Sequence, residues 1–158
     1  MPSFTIQPVR SPADLEATKA LFNAYAASLG INLSYQNFVE EMAAMPGKYA
    51  PPNGELLLAR GDDGAALGCV GLRPLAEAGS CEMKRLYVTP EGRGLGLGKA
   101  LAERVVEEAR RIGYRRMLLD TLPSLATAIA LYDRMGFARI PAYYDTPIPG
   151  TIFMALAL

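Results

Sequence analysis

The stretch VTPEGRGLGLGK, residues 88–99, determines how the rest of this sequence is interpreted. It follows an apolar, strand-like run and leads directly into a helical pattern. Three of its residues are alternating glycines: Gly94, Gly96 and Gly98. Glycines at this spacing let the backbone turn several N–H groups toward one point, and the helix N-terminus adds the positive end of its dipole. With Arg93 and Lys99 adding full positive charges, the stretch predicts a phosphate or pyrophosphate site.

Three phosphate-binding motifs compete for this loop, and one of them fits. The Walker A pattern fails because Arg93 stands where its first glycine is required and Ala100 follows Lys99. The dinucleotide pattern G-x-G-x-x-G also fails, since its third glycine falls on Lys99 or Leu101, although Asp120 resembles its ribose-binding acid. The pattern [QR]-x-x-G-x-[GA] matches Arg93–Gly98 at every position.

The elements around the loop predict a mixed α/β (α+β) domain. A strand over 81–88, a helix over 99–112 and a strand over 116–121 favour one parallel, right-handed crossover. Three consecutive strands in the middle of the chain favour antiparallel hairpins. The remaining predicted elements are strands at 4–6, 55–60, 65–72, 137–140 and 151–158, and helices at 11–30, 35–45 and 124–135.

Composition limits the other classes of function. The chain has 158 residues with 51% hydrophobic, so one domain over 1–158 is expected. Its formal net charge is zero, which favours neither a nucleic-acid nor a membrane partner. The sequence contains no histidine, which excludes a Ser-His-Asp triad and a histidine metal cluster, and no metal is expected. The N-terminal stretch lacks a signal pattern, so a cytoplasmic location is expected.

The loop resembles the coenzyme A loop of the GNAT superfamily of N-acetyltransferases. Glu82–Val88 is similar to that family's fourth strand, and Leu131–Phe137 is similar to its later "LY…GF" segment. The resemblance covers about residues 80–137. It implies a mostly antiparallel central sheet of about six or seven strands flanked by about four helices. It also implies transfer of an acetyl group from acetyl-CoA, the cosubstrate, to a small-molecule or peptide amine by direct attack in a ternary complex.

The resemblance also implies roles for individual residues. Tyr132 matches the general acid, with a half-buried core tyrosine as the alternative. Glu82 is the first choice for the base that deprotonates the amine; a glutamate paired with Arg85 or Lys84, or a water chain without a base, stays open. The implied cofactor-binding residues are Leu86, Tyr87, Val88, Arg93, Gly94, Leu95, Gly96, Leu97, Gly98, Lys99 and Ser124.

Two features of the resemblance leave alternatives open. Family members often carry Asn seven residues before the tyrosine, where this chain has Leu125, with Ser124 beside it. The candidates for the acceptor pocket are Tyr35, Tyr143, Tyr144 and Asp145, and a packed structural loop is an equal interpretation of the last three. The competing functions are a non-catalytic acyl-CoA sensor and, less favoured, a nucleotide-dependent oxidoreductase. A homodimer is compatible with the sequence.

Overall fold

The computed structural model describes residues 3–158, so Met1 and Pro2 of the predicted 1–158 domain lie outside the described residues. Within this range the strands are β1 Phe4–Pro8, β2 Glu55–Gly61, β3 Ala66–Pro74, β4 Ser80–Val88, β5 Arg116–Thr121, β6 Ala138–Ile140 and β7 Ile152–Ala157. The α-helices are α1 Pro12–Leu29, α2 Phe38–Ala44, α3 Leu97–Ile112 and α4 Ala126–Met135. Short 3-10 helices cover Leu33–Gln36, Gly47–Tyr49 and Pro90–Gly92.

All seven strands form one sheet in the order β1-β2-β3-β4-β5-β7-β6. Every neighbouring pair is antiparallel except β4 and β5, which are parallel because α3 carries the chain back across the sheet. The predicted fold class is therefore confirmed, including the single crossover after the glycine loop.

The sheet separates in its middle. β4 and β5 pair only through Ser80–Arg116, Cys81–Met117 and Glu82–Leu118, all at the start of the two strands. On its other edge β4 carries a bulge, since Cys69 of β3 faces Tyr87 while Gly71 faces Lys84. A gap therefore opens beside β4 from Lys84 to Val88.

Helices cover both faces of the sheet. Successive side chains of β2 point to opposite faces and are apolar on both, so each face needs a helix to bury it. Leu57 and Ala59 of β2 pack in a cluster with Leu101 and Val105 of α3. Leu56 and its neighbour Leu58 point the other way and pack with Phe22 of α1. Burying side chains of this size stabilises the fold by roughly 1.5–3 kcal/mol each, and this packing holds β4 and α3 in fixed positions around the loop.

The predicted second helix over 35–45 is interrupted. The chain forms a 3-10 turn at Leu33–Gln36 and then α2 at Phe38–Ala44. Asn37 between them has a φ of 56°, the left-handed region that asparagine tolerates better than most residues. After this break the Gln36 side chain reaches β4, where its oxygen accepts hydrogen bonds from Lys84 and Arg85.

Two helix starts also differ from the prediction. α3 begins at Leu97 rather than Lys99, because the carbonyl of Gly96 accepts the first helical hydrogen bond, from the N–H of Ala100. α4 begins at Ala126 rather than Ser124, because Leu125 accepts the corresponding bond from Ile129. The first shift lengthens α3 at its start, and the second shortens α4. Both helix starts border one cleft of the molecule.

Candidate active site

A cleft of about 650 Å³ lies beside the second half of β4. The glycine loop and the start of α3 form one wall, and the start of α4 forms another. Ten of the eleven predicted cofactor residues line it: Leu86, Tyr87, Val88, Arg93, Gly94, Gly96, Leu97, Gly98, Lys99 and Ser124. The remaining one, Leu95, packs against the core instead. The structure therefore brings together residues that are spread over 39 positions of the sequence, from 86 to 124.

The backbone of the loop is arranged for an anion. Gly94 and Gly96 have φ values of 84° and 76°, in the left-handed region that only glycine enters readily. A Cβ built on either glycine would meet nothing within 4 Å, so both face the open cleft. The N–H groups of Leu97, Gly98 and Lys99 precede the first hydrogen bond of α3 and have no partner within the helix. This arrangement is typical of a phosphate site.

A smaller chamber of about 40 Å³ adjoins the cleft, in the gap between β4 and β5. The two spaces share four lining residues: Tyr25, Leu86, Leu125 and Ala128. The chamber is lined further in by Tyr132 and by a polar group of residues, Gln36, Lys84, Arg85 and Asp120. The end of the cleft along β4 therefore lies next to the chamber that Tyr132 and the polar group line.

Tyr132 lies on the inward face of α4, and the exposed fraction of the residue is 6%. Its ring packs against Phe137 with a centroid distance of 5.6 Å. Burial raises the pKa of Tyr132 above its ordinary value, so the phenol is fully protonated at neutral pH. Among residues 3–158 no hydrogen bond occupies this hydroxyl, and Tyr132 is one of the residues that line the chamber. The placement suits a proton donor, and that role stays a prediction.

Glu82 lies apart from Tyr132 and lines neither the cleft nor the chamber. It is 2% exposed, and both of its carboxylate oxygens are occupied. Arg73 donates to Oε1 at 2.8 Å, and the Tyr143 hydroxyl donates to Oε2 at 2.6 Å. This is the ion-paired alternative, with Arg73 as partner rather than Arg85 or Lys84. The geometry weakens Glu82 as the base, and the role stays a prediction to be tested.

The acceptor candidates divide between the wall of the chamber and the surface. Tyr144 donates to Asp120 at 2.7 Å and so holds the inner wall. Tyr35 lines the chamber directly. Tyr143 serves Glu82 instead, and Asp145 is exposed to solvent. The loop that carries Tyr143 and Tyr144 thus packs on Phe153 of the sheet and reaches the chamber wall through the bond from Tyr144 to Asp120.

No role in the chamber was predicted from the sequence for its polar residues; Asp120 was noted only for its resemblance to the ribose-binding acid of the dinucleotide pattern. Consecutive strand residues normally point to opposite faces, so Lys84 and Arg85 were not expected to face one space. They do so because of the bulge, where Arg85 has a φ of 60°. A non-glycine residue in this conformation costs of the order of 1–3 kcal/mol, and such strain concentrates at functional sites. The sequence did offer one sign of this polar group, namely two adjacent cations, Lys84 and Arg85, within a strand whose other residues are mostly apolar.

Within residues 3–158 no three His, Cys, Asp or Glu side chains come together to form a metal site. No helix among the described residues is both long enough and apolar enough to cross a membrane.

A mixed sheet that opens between two parallel strands, beside a glycine-rich loop suited to an anion, is the arrangement that the sequence resemblance implies for transferases that use coenzyme A thioesters. Comparison with known proteins agrees: residues 19–137 match the Acetyltransferase (GNAT) family. The chain is 42% identical over 156 residues to a protein of Schizosaccharomyces pombe named as an uncharacterized N-acetyltransferase, covering 99% of this chain and 96% of that protein.

Solved structures give the same result. A crystal structure from Klebsiella pneumoniae, described as an acyl-CoA N-acyltransferase, is 30% identical with a TM-score of 0.71, covering 98% of this chain and 97% of the other. A GNAT-family acetyltransferase from Staphylococcus aureus shares the fold with a TM-score of 0.80 at 18% identity, covering 98% and 99%. The chain belongs to the GNAT family of acetyltransferases, which use acetyl-CoA as cosubstrate, and it is an enzyme of the N-acetyltransferase type.

Proposed function

We propose that this protein transfers the acetyl group of acetyl-CoA to a primary amine by direct attack within a ternary complex. The observation that carries the proposal is that the cleft and the chamber adjoin along β4. The glycine loop borders the cleft, Tyr132 borders the chamber, and Leu86 of β4 borders both.

The cofactor would lie along the cleft with its charged end at the loop. The N–H groups at the start of α3 would bind the pyrophosphate, and Arg93 and Lys99 would add charge-assisted bonds. The backbone of Leu86–Val88 would pair with the amides of the pantetheine arm, since this edge of β4 has no strand partner in the sheet. Ser124, at the opposite wall, offers a hydroxyl near the position where family members often carry asparagine.

The reaction needs one bond to form and one to break. The amine nitrogen attacks the thioester carbonyl, and the carbon–sulfur bond then breaks to release coenzyme A. A backbone N–H of β4 would stabilise the oxyanion, and Tyr132 would donate its proton to the departing thiolate. The proton lost by the amine would leave through a water chain or, as the less favoured route, through Glu82.

The first experiment measures the melting temperature with and without acetyl-CoA. At a concentration of about 100 times Kd, the ligand stabilises the native state by roughly 2.7 kcal/mol. For a domain of this size the corresponding shift is roughly 5–11 °C. The Gly96→Val variant should lose the shift, because its side chain would project from a left-handed residue into the cleft.

Gly64→Val provides a matched control. Gly64 also has a positive φ, of 85°, and a Cβ there also meets nothing within 4 Å, but it lies in the turn after β2. It should suffer similar backbone strain and keep the full shift with acetyl-CoA. If millimolar acetyl-CoA stabilised none of the three proteins, the cofactor assignment would be wrong. A normal shift without turnover on a broad panel of amines would instead identify an acyl-CoA sensor.

A further inference from the structure

The side-chain amide of Gln36 occupies the inner end of the chamber. Its oxygen accepts from Arg85 Nη1 at 2.6 Å and from Lys84 Nζ at 3.2 Å. Its nitrogen donates to Asp120 Oδ2 at 3.1 Å and to the Tyr144 hydroxyl at 3.0 Å. One neutral amide thus fills a space between two cations on one side and a carboxylate on the other.

The orientation of this amide follows from its neighbours. Lys84 and Arg85 can only donate hydrogen bonds, so the atom that faces both must be an acceptor. Turning the amide over would place its NH₂ against two cations and its oxygen against the Asp120 carboxylate. The oxygen of Gln36 therefore marks a position at which the protein demands an acceptor.

That position is electrostatically suited to a negative charge. The side chains of Lys84 and Arg85 are only 4% and 2% exposed, so their charges are poorly screened by water. Arg85 is paired with Glu41 through its other nitrogens, at 3.1 and 3.3 Å, and Lys84 approaches Asp120 at 3.4 Å. Each cation still directs a donor at the Gln36 oxygen. The bonds that the Gln36 oxygen accepts are ionised on the donor side only. A carboxylate oxygen at that position would be ionised on the acceptor side as well, so it would bind more strongly than the amide oxygen does.

Resting on the proposed function, we propose that the acceptor is a small aliphatic amino acid. Its carboxylate binds between Lys84 and Arg85 in place of the Gln36 amide, while its amine faces Tyr132 and the thioester. The chamber holds about 40 Å³ with the Gln36 side chain in place, and displacing the amide adds only the space of one small polar group, which limits the acceptor to a compact molecule. In the free enzyme Gln36 acts as an internal substitute for that carboxylate.

The amide can leave without stranding the groups on its other side. Asp120 keeps its hydrogen bond from Tyr144 at 2.7 Å and its approach to Lys84. Gln36 is the last residue of a 3-10 turn of four residues. Asn37, which has a left-handed backbone, separates this turn from α2, so Gln36 does not lie within a longer helix. Asp120 and the Tyr144 hydroxyl each lose the Gln36 donor but keep the bond between them. Lys84 and Arg85 lose an acceptor, which the incoming carboxylate replaces.

The test compares each amino acid with its own carboxamide as acceptor. Suitable pairs are glycine and glycinamide, β-alanine and β-alaninamide, and 4-aminobutanoate and 4-aminobutanamide, which also vary the distance between amine and carboxylate. Values of kcat/KM are expressed per concentration of free amine, because the amide lowers the basicity of the amine. In at least one pair the acid should exceed the amide by roughly 10- to 100-fold, the range of hydrogen bonds to charged groups.

Lys84→Met should abolish this preference, because it removes one cation and keeps the length of the side chain. It should lower the value for the acid and leave that for the amide within about threefold. Lys19→Met is the matched control, since Lys19 pairs with Glu16 on α1 and lines neither space. Gln36→Ala should lower KM for the acid, because an internal competitor is removed, whereas a plain wall residue would affect acid and amide alike.

The outcomes separate this proposal from the proposed function. Equal use of acid and amide by the wild type would overturn the carboxylate site and leave N-acetyl transfer intact. A preference that survives in Lys84→Met, folded as judged by its melting temperature, would also overturn it. If no amine were acetylated although acetyl-CoA still stabilised the protein, both would fall. Loss of the preference in Lys84→Met alone would support it.

Discussion

Replacing Tyr132 by phenylalanine tests the chemistry of the site most directly, because it removes one hydroxyl and little volume. The ring would keep its packing against Phe137. Within the described residues that hydroxyl holds no hydrogen bond, so its removal leaves no group without a partner. The folded protein should therefore lose little stability, less than the roughly 1 kcal/mol of an average substitution.

The expected kinetic effect is much larger than the effect on stability. Loss of a general acid lowers the rate of the chemical step by roughly 10²- to 10⁴-fold. Tenfold corresponds to about 1.36 kcal/mol of activation free energy, so the barrier should rise by at least about 2.7 kcal/mol. The affinity for acetyl-CoA should stay nearly constant, because Tyr132 lines the inner chamber and not the wall around the loop.

The assay follows release of the free thiol in single turnover, so that product release does not mask the chemical step. Tyr114→Phe is the matched control, since its hydroxyl donates to the backbone oxygen of Asn53 at 2.6 Å, away from the cleft. It should lose some stability and keep its rate. A single-turnover rate for Tyr132→Phe within threefold of wild type would refute the reasoning and return Tyr132 to a packing role.

Three further outcomes are expected. Because burial raises the pKa of Tyr132, the alkaline decline in kcat that this acid causes should lie above pH 10, the ordinary value for tyrosine; a fall centred below pH 10 in wild type and missing in Tyr132→Phe would contradict this. If Glu82 is the base, Glu82→Gln should lower kcat/KM most at low pH, where the amine is protonated, whereas a uniform drop or none removes it from that role. Ser124→Ala should weaken acetyl-CoA binding by roughly 2- to 10-fold in calorimetry, the worth of one net hydrogen bond; unchanged affinity would show that its hydroxyl makes no contact.

The loop could be predicted because its determinants are local. Alternating glycines, flanking cations and the change from strand to helix are all readable within twelve residues, 88–99. The structure adds that Gly94 and Gly96 take the left-handed conformation that this spacing suggested. The strands of the sheet and the helices around it could be predicted for the same reason. Each strand has its own short run or alternation of apolar residues, and most helices end at a glycine.

The inner chamber could not be predicted because its residues meet only through register and strain. Glu82 pairs with Arg73 because the two lie opposite each other on β4 and β3, and nothing in the sequence fixes that register. Arg85 reaches the chamber through a bulge that moves the strand out of simple alternation. Gln36 arrives from an element 48 residues before Lys84, and only the break at Asn37 aims it there.

The short pairing between β4 and β5 has a consequence for the order in which substrates bind. Past Glu82 and Leu118 the two halves of the sheet are held apart, and the exposed edge of β4 offers unpaired peptide groups. The pantetheine arm of the cofactor, lying along that edge, would supply hydrogen bonds that β5 does not make there and would link the two halves of the sheet. Leu86 borders both spaces, so the arm would also complete the outer wall of the chamber. We therefore expect acetyl-CoA to bind first, with the acceptor entering a pocket that is complete only once the cofactor is in place.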